Sequence, residues 1–244
     1  MLSGMESGNL FAYKNDSMAG TSRFARLSTI ALLAAILCTT AHSGRTNFVS
    51  PRLVSAGDVL YPGTDAAAGG LVQLAVDLDS HGSVISVNTV RYIPSLTAAA
   101  VDAVMGWTFS PGFLDGNAVA STISVNFLFD PGTSPMKPVV LTPPDERWKA
   151  AEQPLYIAPQ TSAAWFAAYP IGGPPATVVL DVSVNRAGEV RHTAAVYNVP
   201  SLTKDVIAAM NRWTFLPATF RGDPVEGHTV AAFVYHAPLI DQAP

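Results

Sequence analysis

Cysteine is almost absent from this chain. One occurs in 244 residues, Cys38, and it lies in a segment expected to be removed. Disulfides and cysteine-based metal sites therefore drop out of consideration together. Charge is scarce too: 13% of residues are charged and the formal net charge is -4. No lysine- or arginine-rich stripe interrupts the sequence, and a surface that neutralises phosphates needs one, so nucleic acid is not an expected partner. No apolar run approaches the roughly 20 residues of a membrane-spanning helix. Catalytic spacings are missing as well. There is no Gly-x-Ser-x-Gly, no phosphate-binding glycine loop and no His-Glu-x-x-His. The histidines are His42, His81, His192, His228 and His236, and none forms a short ligand pair. His228 and His236 would stand about 27 Å apart on one straight strand. The acids Asp79, Asp115 and Asp223 fall in turns and read as solvated. The sequence thus leads to an expectation of no enzyme, no metal and no cofactor.

What is present is a chain that is 49% hydrophobic, long enough for one large domain or two small ones. Its N-terminus reads as an export signal over residues 1–43. Arg23 and Arg26 precede the apolar run Leu27 to Cys38, and Ala41-His42-Ser43 supplies the small residues that a signal peptidase reads. Cleavage is expected after Ser43, giving a periplasmic protein. The alternative is an uncleaved inner-membrane signal anchor, and membrane contact is expected only in that case. Leu37 is too large for the position before a lipoprotein cysteine. Met18 makes a more ordinary signal start than Met1.

The second feature is an internal repeat. Pro94-Ser95-Leu96-Thr97 returns as Pro200-Ser201-Leu202-Thr203, and Trp107-Thr108-Phe109 returns as Trp213-Thr214-Phe215. At the same spacing Gly82 meets Gly188, Pro111 meets Pro217, Gly116 meets Gly222 and Phe127 meets Phe233. In each copy an alternating run predicts a strand with one buried face: Val72, Leu74, Val76 and Leu78, then Val178, Leu180, Val182 and Val184. A glycine turn follows, then a return strand over Val84 to Val90 or Val190 to Val196. Ser95 and Ser201 are placed to cap a helix, with Leu96, Ala99, Ala100, Ala103 and Val104, or Leu202, Val206, Ala209 and Met210, on its apolar face. A last strand is expected over Thr122 to Phe129 and over His228 to Tyr235. Trp107 and Trp213 read as core. Five prolines between Pro131 and Pro144 suggest an extended linker. The fold class is α+β, as two tandem small domains, each a three-stranded antiparallel sheet packed by one main helix. Copy one spans 52–130, the linker 131–150 and copy two 151–238.

These residues resemble the C-terminal domain of TonB, the Gram-negative energy transducer. The resemblance rests on Tyr61-Pro62 and Tyr169-Pro170, on Gly70-Leu71-Val72, on the two Pro-Ser-Leu helix starts, and on Ala103-Val104-Met105-Gly106-Trp107-Thr108-Phe109-Ser110-Pro111 with its second copy from Ala209 to Pro217. Gly222-Asp223-Pro224-Val225 completes it. The family's short basic helix after Tyr-Pro has no counterpart in Gly63 to Gly69 or Ile171 to Pro175. The resemblance implies a protein- or peptide-binding envelope module acting in TonB-type transport, its partner an extended peptide of an envelope or outer-membrane protein. That peptide would add as a strand beside the last strand of the domain. The implied edge comprises Thr122, Ser124, Asn126 and Leu128 in copy one, and His228, Val230, Ala232 and Val234 in copy two. Arg45 to Gly57 spans at most about 45 Å fully extended, too short for long-reach transduction. The competing expectation is a structural or interaction protein without a transport role. Its last strands would pair with each other, or with a second molecule in a homodimer, and a continuous sheet across both copies would decide for it.

Overall fold

The computed structural model describes residues 47–62, 68–132, 138–141, 155–169 and 173–236. The signal segment, the span 63–67 and much of the proline-rich stretch lie outside the described residues. In chain order the elements are β1 (Phe48–Val49), β2 (Arg52–Ser55), β3 (Gly70–Leu78), β4 (Val84–Arg91), α1 (Thr97–Met105), β5 (Thr108–Ser110), β6 (Gly112–Leu114), β7 (Asn117–Val119), β8 (Ser121–Asp130) and β9 (Val139–Val140). The pattern then returns as β10 (Tyr156–Ile157), β11 (Gln160–Ala164), β12 (Ala176–Val184), β13 (Val190–Tyr197), α2 (Pro200–Met210), β14 (Thr214–Leu216), β15 (Ala218–Phe220), β16 (Asp223–Val225) and β17 (Gly227–Tyr235).

Two features of the sequence set each hairpin. Alternating apolar residues of β3 and β12 lie beneath the helices, and the turn glycines are needed twice over. Gly82 and Gly188 have φ of +84° and +83°, which other residues rarely adopt. A Cβ on either would also stand 2.1 or 2.0 Å from the carbonyl oxygen of Phe109 or Phe215. The helices start differently from the serine caps expected. Helix α1 begins after Leu96 and α2 carries Pro200 in its first turn after Val199, and neither has a side-chain cap. Proline suits that position because its missing N–H would have no helical partner. Thr97 and Thr203 instead turn their hydroxyls back onto the carbonyls of Ile93 and Val199.

The larger difference is that the two three-stranded sets do not form separate domains. They join into one six-stranded sheet of order β13-β12-β17-β8-β3-β4, and Gly44–Pro244 is one compact unit. Neighbours are antiparallel except at the centre, where β8 and β17 run parallel with Ser124 opposite Thr229 and Asp130 opposite Tyr235. Val125, Phe127 and Phe129 share a core with α1, Trp107 and Phe109, and so do Val230, Ala232 and Val234 opposite them. Ala231, Phe233 and Tyr235 share the other core, with α2, Trp213 and Phe215. Since successive residues of a strand face opposite ways, the two helices lie on opposite faces of the sheet.

Each helix covers only its own half of a face, and the chain preceding each hairpin covers the rest. Strand β2 pairs with β5 of its own half while lying against β17 and β13 of the other; Leu53 and Val59 enter the core with Val179 and Val230. Strand β11 pairs with β14, and Ala164 joins Leu71 and Leu128 in the opposite core. The linker is not wholly extended and free, for β9 pairs with β11. The two arms meet where Phe48 stacks on Phe220, with ring centres 4.9 Å apart, and packs on Tyr156 at 4.4 Å. This interlocking is why the halves are not independent modules.

Candidate functional site

Six of the eight residues expected on a partner-binding edge fall on the β8–β17 seam, which is closed, and Thr122 and His228 lie just beyond its end. Strand β8 is paired with β3 on one side and β17 on the other, and β17 with β12 and β8. The expected open edge at Ser124, Asn126, Leu128, Val230, Ala232 and Val234 is therefore corrected to the middle of a sheet, while beyond the ladder Thr122 donates its hydroxyl to Asp77 and His228 its N–H to Ser50. The physical reason is that two long apolar edges with unsatisfied N–H and C=O groups satisfy each other. Val230, Ala232 and Val234 are buried in the core under α1, and Leu128 in the core under α2.

A polar hub fixes the register of the seam. Asn126 is completely buried. Its Oδ1 accepts from Gln73 Nε2 at 3.0 Å and from Thr161 Oγ1 at 2.9 Å. Its Nδ2 donates across the seam to Thr229 Oγ1 at 3.0 Å and to the Val230 carbonyl at 3.1 Å. Thr229 Oγ1 in turn donates to the Ser124 carbonyl at 2.9 Å. Both carboxamide ends are satisfied, which a buried amide requires, and the bonds reach both halves and the second arm. Gln73, Thr161 and Thr229 were not among the residues singled out from sequence. The available signal was Asn126 itself, an amide in the apolar strand Ile-Ser-Val-Asn-Phe-Leu-Phe, which demands partners wherever it is buried.

At one end of the second half, His228 Nδ1 lies 2.8 Å from Asp181 Oδ2. The other carboxylate oxygen accepts the Leu53 N–H at 3.2 Å, and Ser50 Oγ accepts the His228 N–H at 3.0 Å. This group ties β12 and β17 to the first arm. In the first half Asp77 has a comparable task, accepting from Thr122 at 2.7 Å, Ser86 at 2.6 Å and Asn88 at 3.0 Å. At the far end of the seam, burial pushes the Asp130 carboxyl above its ordinary pKa and does the same to the Tyr235 hydroxyl. Among the described residues no three His, Cys, Asp or Glu side chains converge as a metal site would, and no helix is long and apolar enough to cross a membrane.

The outer strands remain as the ends of the sheet. Strand β13 carries Arg191 near its start, a charge that discourages pairing with another chain. Strand β4 is Val-Ile-Ser-Val-Asn-Thr-Val-Arg, uncharged until Arg91. On the sheet face away from α1, beneath the second arm, lies a cleft of about 170 Å³ lined by Gln73, Ala75, Arg91, Ser124, Leu141 and Tyr156 among others.

Comparison with known families places residues 63–131 in a match to the C-terminal domain of the Gram-negative bacterial TonB protein. The match runs from just before β3 to just past β8, supports a TonB C-terminal domain over that stretch and points to a TonB-like envelope protein. No curated protein and no solved structure matches the chain.

Proposed function

We propose that this is an exported, periplasmic envelope protein made of two tandem TonB C-terminal-like copies whose last strands are joined to each other. It acts as a structural or interaction module and not as a strand-adding energy transducer. One observation carries this reading: the parallel β8–β17 ladder with Asn126 at its centre, which occupies the edge that a transporter peptide would otherwise extend. Any peptide that adds as a strand is left with the outer strands, β4 and β13. The N-terminal 43 residues serve as the export signal in this reading.

Hydrogen exchange on the intact chain tests it. A strand paired on both sides protects consecutive amides, whereas an edge strand protects alternate ones. Uniformly slow exchange through Ser124–Asp130 and Thr229–Tyr235 is expected. Alternating protection in either strand would overturn the joined-copy reading. Cell fractionation with N-terminal sequencing tests export separately, with a periplasmic product beginning at Gly44 as the expected result.

A further inference from the structure

The halves differ at one group of equivalent positions, on the sheet face that each half turns away from its own helix. The second half places Val179, Asp181, His228, Val230 and Ala232 there, and the first half places Gln73, Ala75, Thr122, Ser124 and Asn126. In the second half the His228–Asp181 pair fills the space and Leu53 closes over it. In the first half an alanine and a threonine replace that pair, and the cleft of about 170 Å³ stands in its place.

The cleft is held open. Gln73 and Thr161 are tied to Asn126, and Thr122 is tied to Asp77, so its polar walls cannot swing in to fill it. Leu141, Tyr156, Ile157 and Ala158 supply an apolar roof. Arg91 is the one cationic side chain in the lining and makes no ion pair among the described residues. Apolar cavities of about 150 Å³ accept a benzene-sized molecule, and a guanidinium is the donor fork best matched to a carboxylate.

We propose that this cleft binds a small monocarboxylate with a compact apolar body of about one ring. The body lies against Leu141, Tyr156 and Ile157 and the carboxylate meets Arg91. The cleft lies between the first half's sheet and the second arm, so the inference rests on the joined arrangement of the halves but not on the role proposed for it.

Benzoate is the probe, titrated into the intact chain and followed by amide NMR shifts. Shifts are expected at Ala75, Tyr156 and Ile157, and none at Asp181 or His228. Benzyl alcohol, which keeps the ring but loses the charge, is expected to bind at least about tenfold more weakly, as is benzoate to R91Q. The Ala75→Asp, Thr122→His double variant copies the plug of the second half and is expected to abolish binding. Should that variant fail to fold, Ser124→Val, which copies Val230, narrows the cleft with less disturbance and is expected to weaken binding. Absence of shifts at Ala75 and Tyr156 with about 10 mM benzoate would overturn the site. Equal binding of benzyl alcohol, or unchanged affinity in R91Q, would overturn the assignment of the carboxylate to Arg91.

Discussion

The two halves share every element but β9 and nearly every turn, yet they treat the inner face of the sheet differently. In the second half that face is filled: Leu53 and Val59 of the first arm press on Val179 and Val230, and His228 with Asp181 plugs what remains. In the first half the second arm brings Thr161 where Leu53 stands, and Thr161 turns to the Asn126 hub. Small residues at Ala75 and Ser124 then leave a cleft. The difference teaches that the repeat conserves what each half needs to fold, the hairpin, the helix and the tryptophan, while residues facing the other half are free to diverge. That is where a function added to the paired form would lie.

The largest expected effect tests the shared part. Gly82→Ala and Gly188→Ala each force a left-handed conformation and drive a Cβ into a backbone carbonyl, and each should cost about 4 kcal/mol. Chemical denaturation of both variants checks this. Nearly equal losses are expected, since the two geometries agree, and a loss confined to one variant would show that the halves do not unfold as one unit. Next comes the seam. Asn126→Leu deprives Gln73 and Thr161 of their acceptor and Thr229 and the Val230 carbonyl of a donor and should cost about 3 kcal/mol. Its signature is the appearance of alternating amide protection in β17. A loss with all β17 amides still protected would assign Asn126 to local packing and leave the register to the apolar residues.

The sequence carried the elements of each half because those rest on local signals. Val72, Leu74, Val76 and Leu78 alternate, Gly82 punctuates, and Trp107 anchors a strand return. It carried the choice between an open and a joined edge only as two alternatives. The residues of β8 look the same whether their neighbour is a peptide, a second molecule or β17, since edge pairing is a contact between distant segments. Asn126 and Asp181, polar side chains in otherwise apolar strands, were the available hints. The arms were less visible still. Strands of two to five residues such as β1, β10 and β11 have no measurable period, and Leu53 announces its place only through the face it covers. The serine caps were misplaced because Ser95 and Ser201 lie beside Thr97 and Pro200, whose own chemistry sets the first turn.

The smallest expected effect concerns a pair of equivalent turns. In the first, Asp79 Oδ1 accepts the N–H groups of His81 at 2.8 Å and Ser83 at 2.9 Å. In the second, Asn185 Oδ1 does the same for Ala187 at 2.8 Å and Glu189 at 3.0 Å. The geometry is shared, but the accepting side chain is a carboxylate only in the first turn. Backbone donation from Ser83, then from His81, holds the Asp79 carboxyl below its ordinary 3.8. A carboxyl depressed in the folded state stabilises fully above its unfolded pKa, and that contribution is lost as pH falls through the folded value. Asp79→Asn, which copies the second turn, should therefore lower Tm slightly at neutral pH. The gap from wild type should persist down to about pH 4 and close below it. Asn185→Asp is not the simple reverse, because Asn185 Nδ2 donates to Glu189 Oε2 at 3.0 Å and a carboxylate there would face another; it should lower Tm at neutral pH and recover as the pair is protonated in acid. Thermal melts of the two variants between neutral and strongly acid pH distinguish this from a side-chain size effect, because a gap that did not change with pH would place the difference in packing and not in the charge.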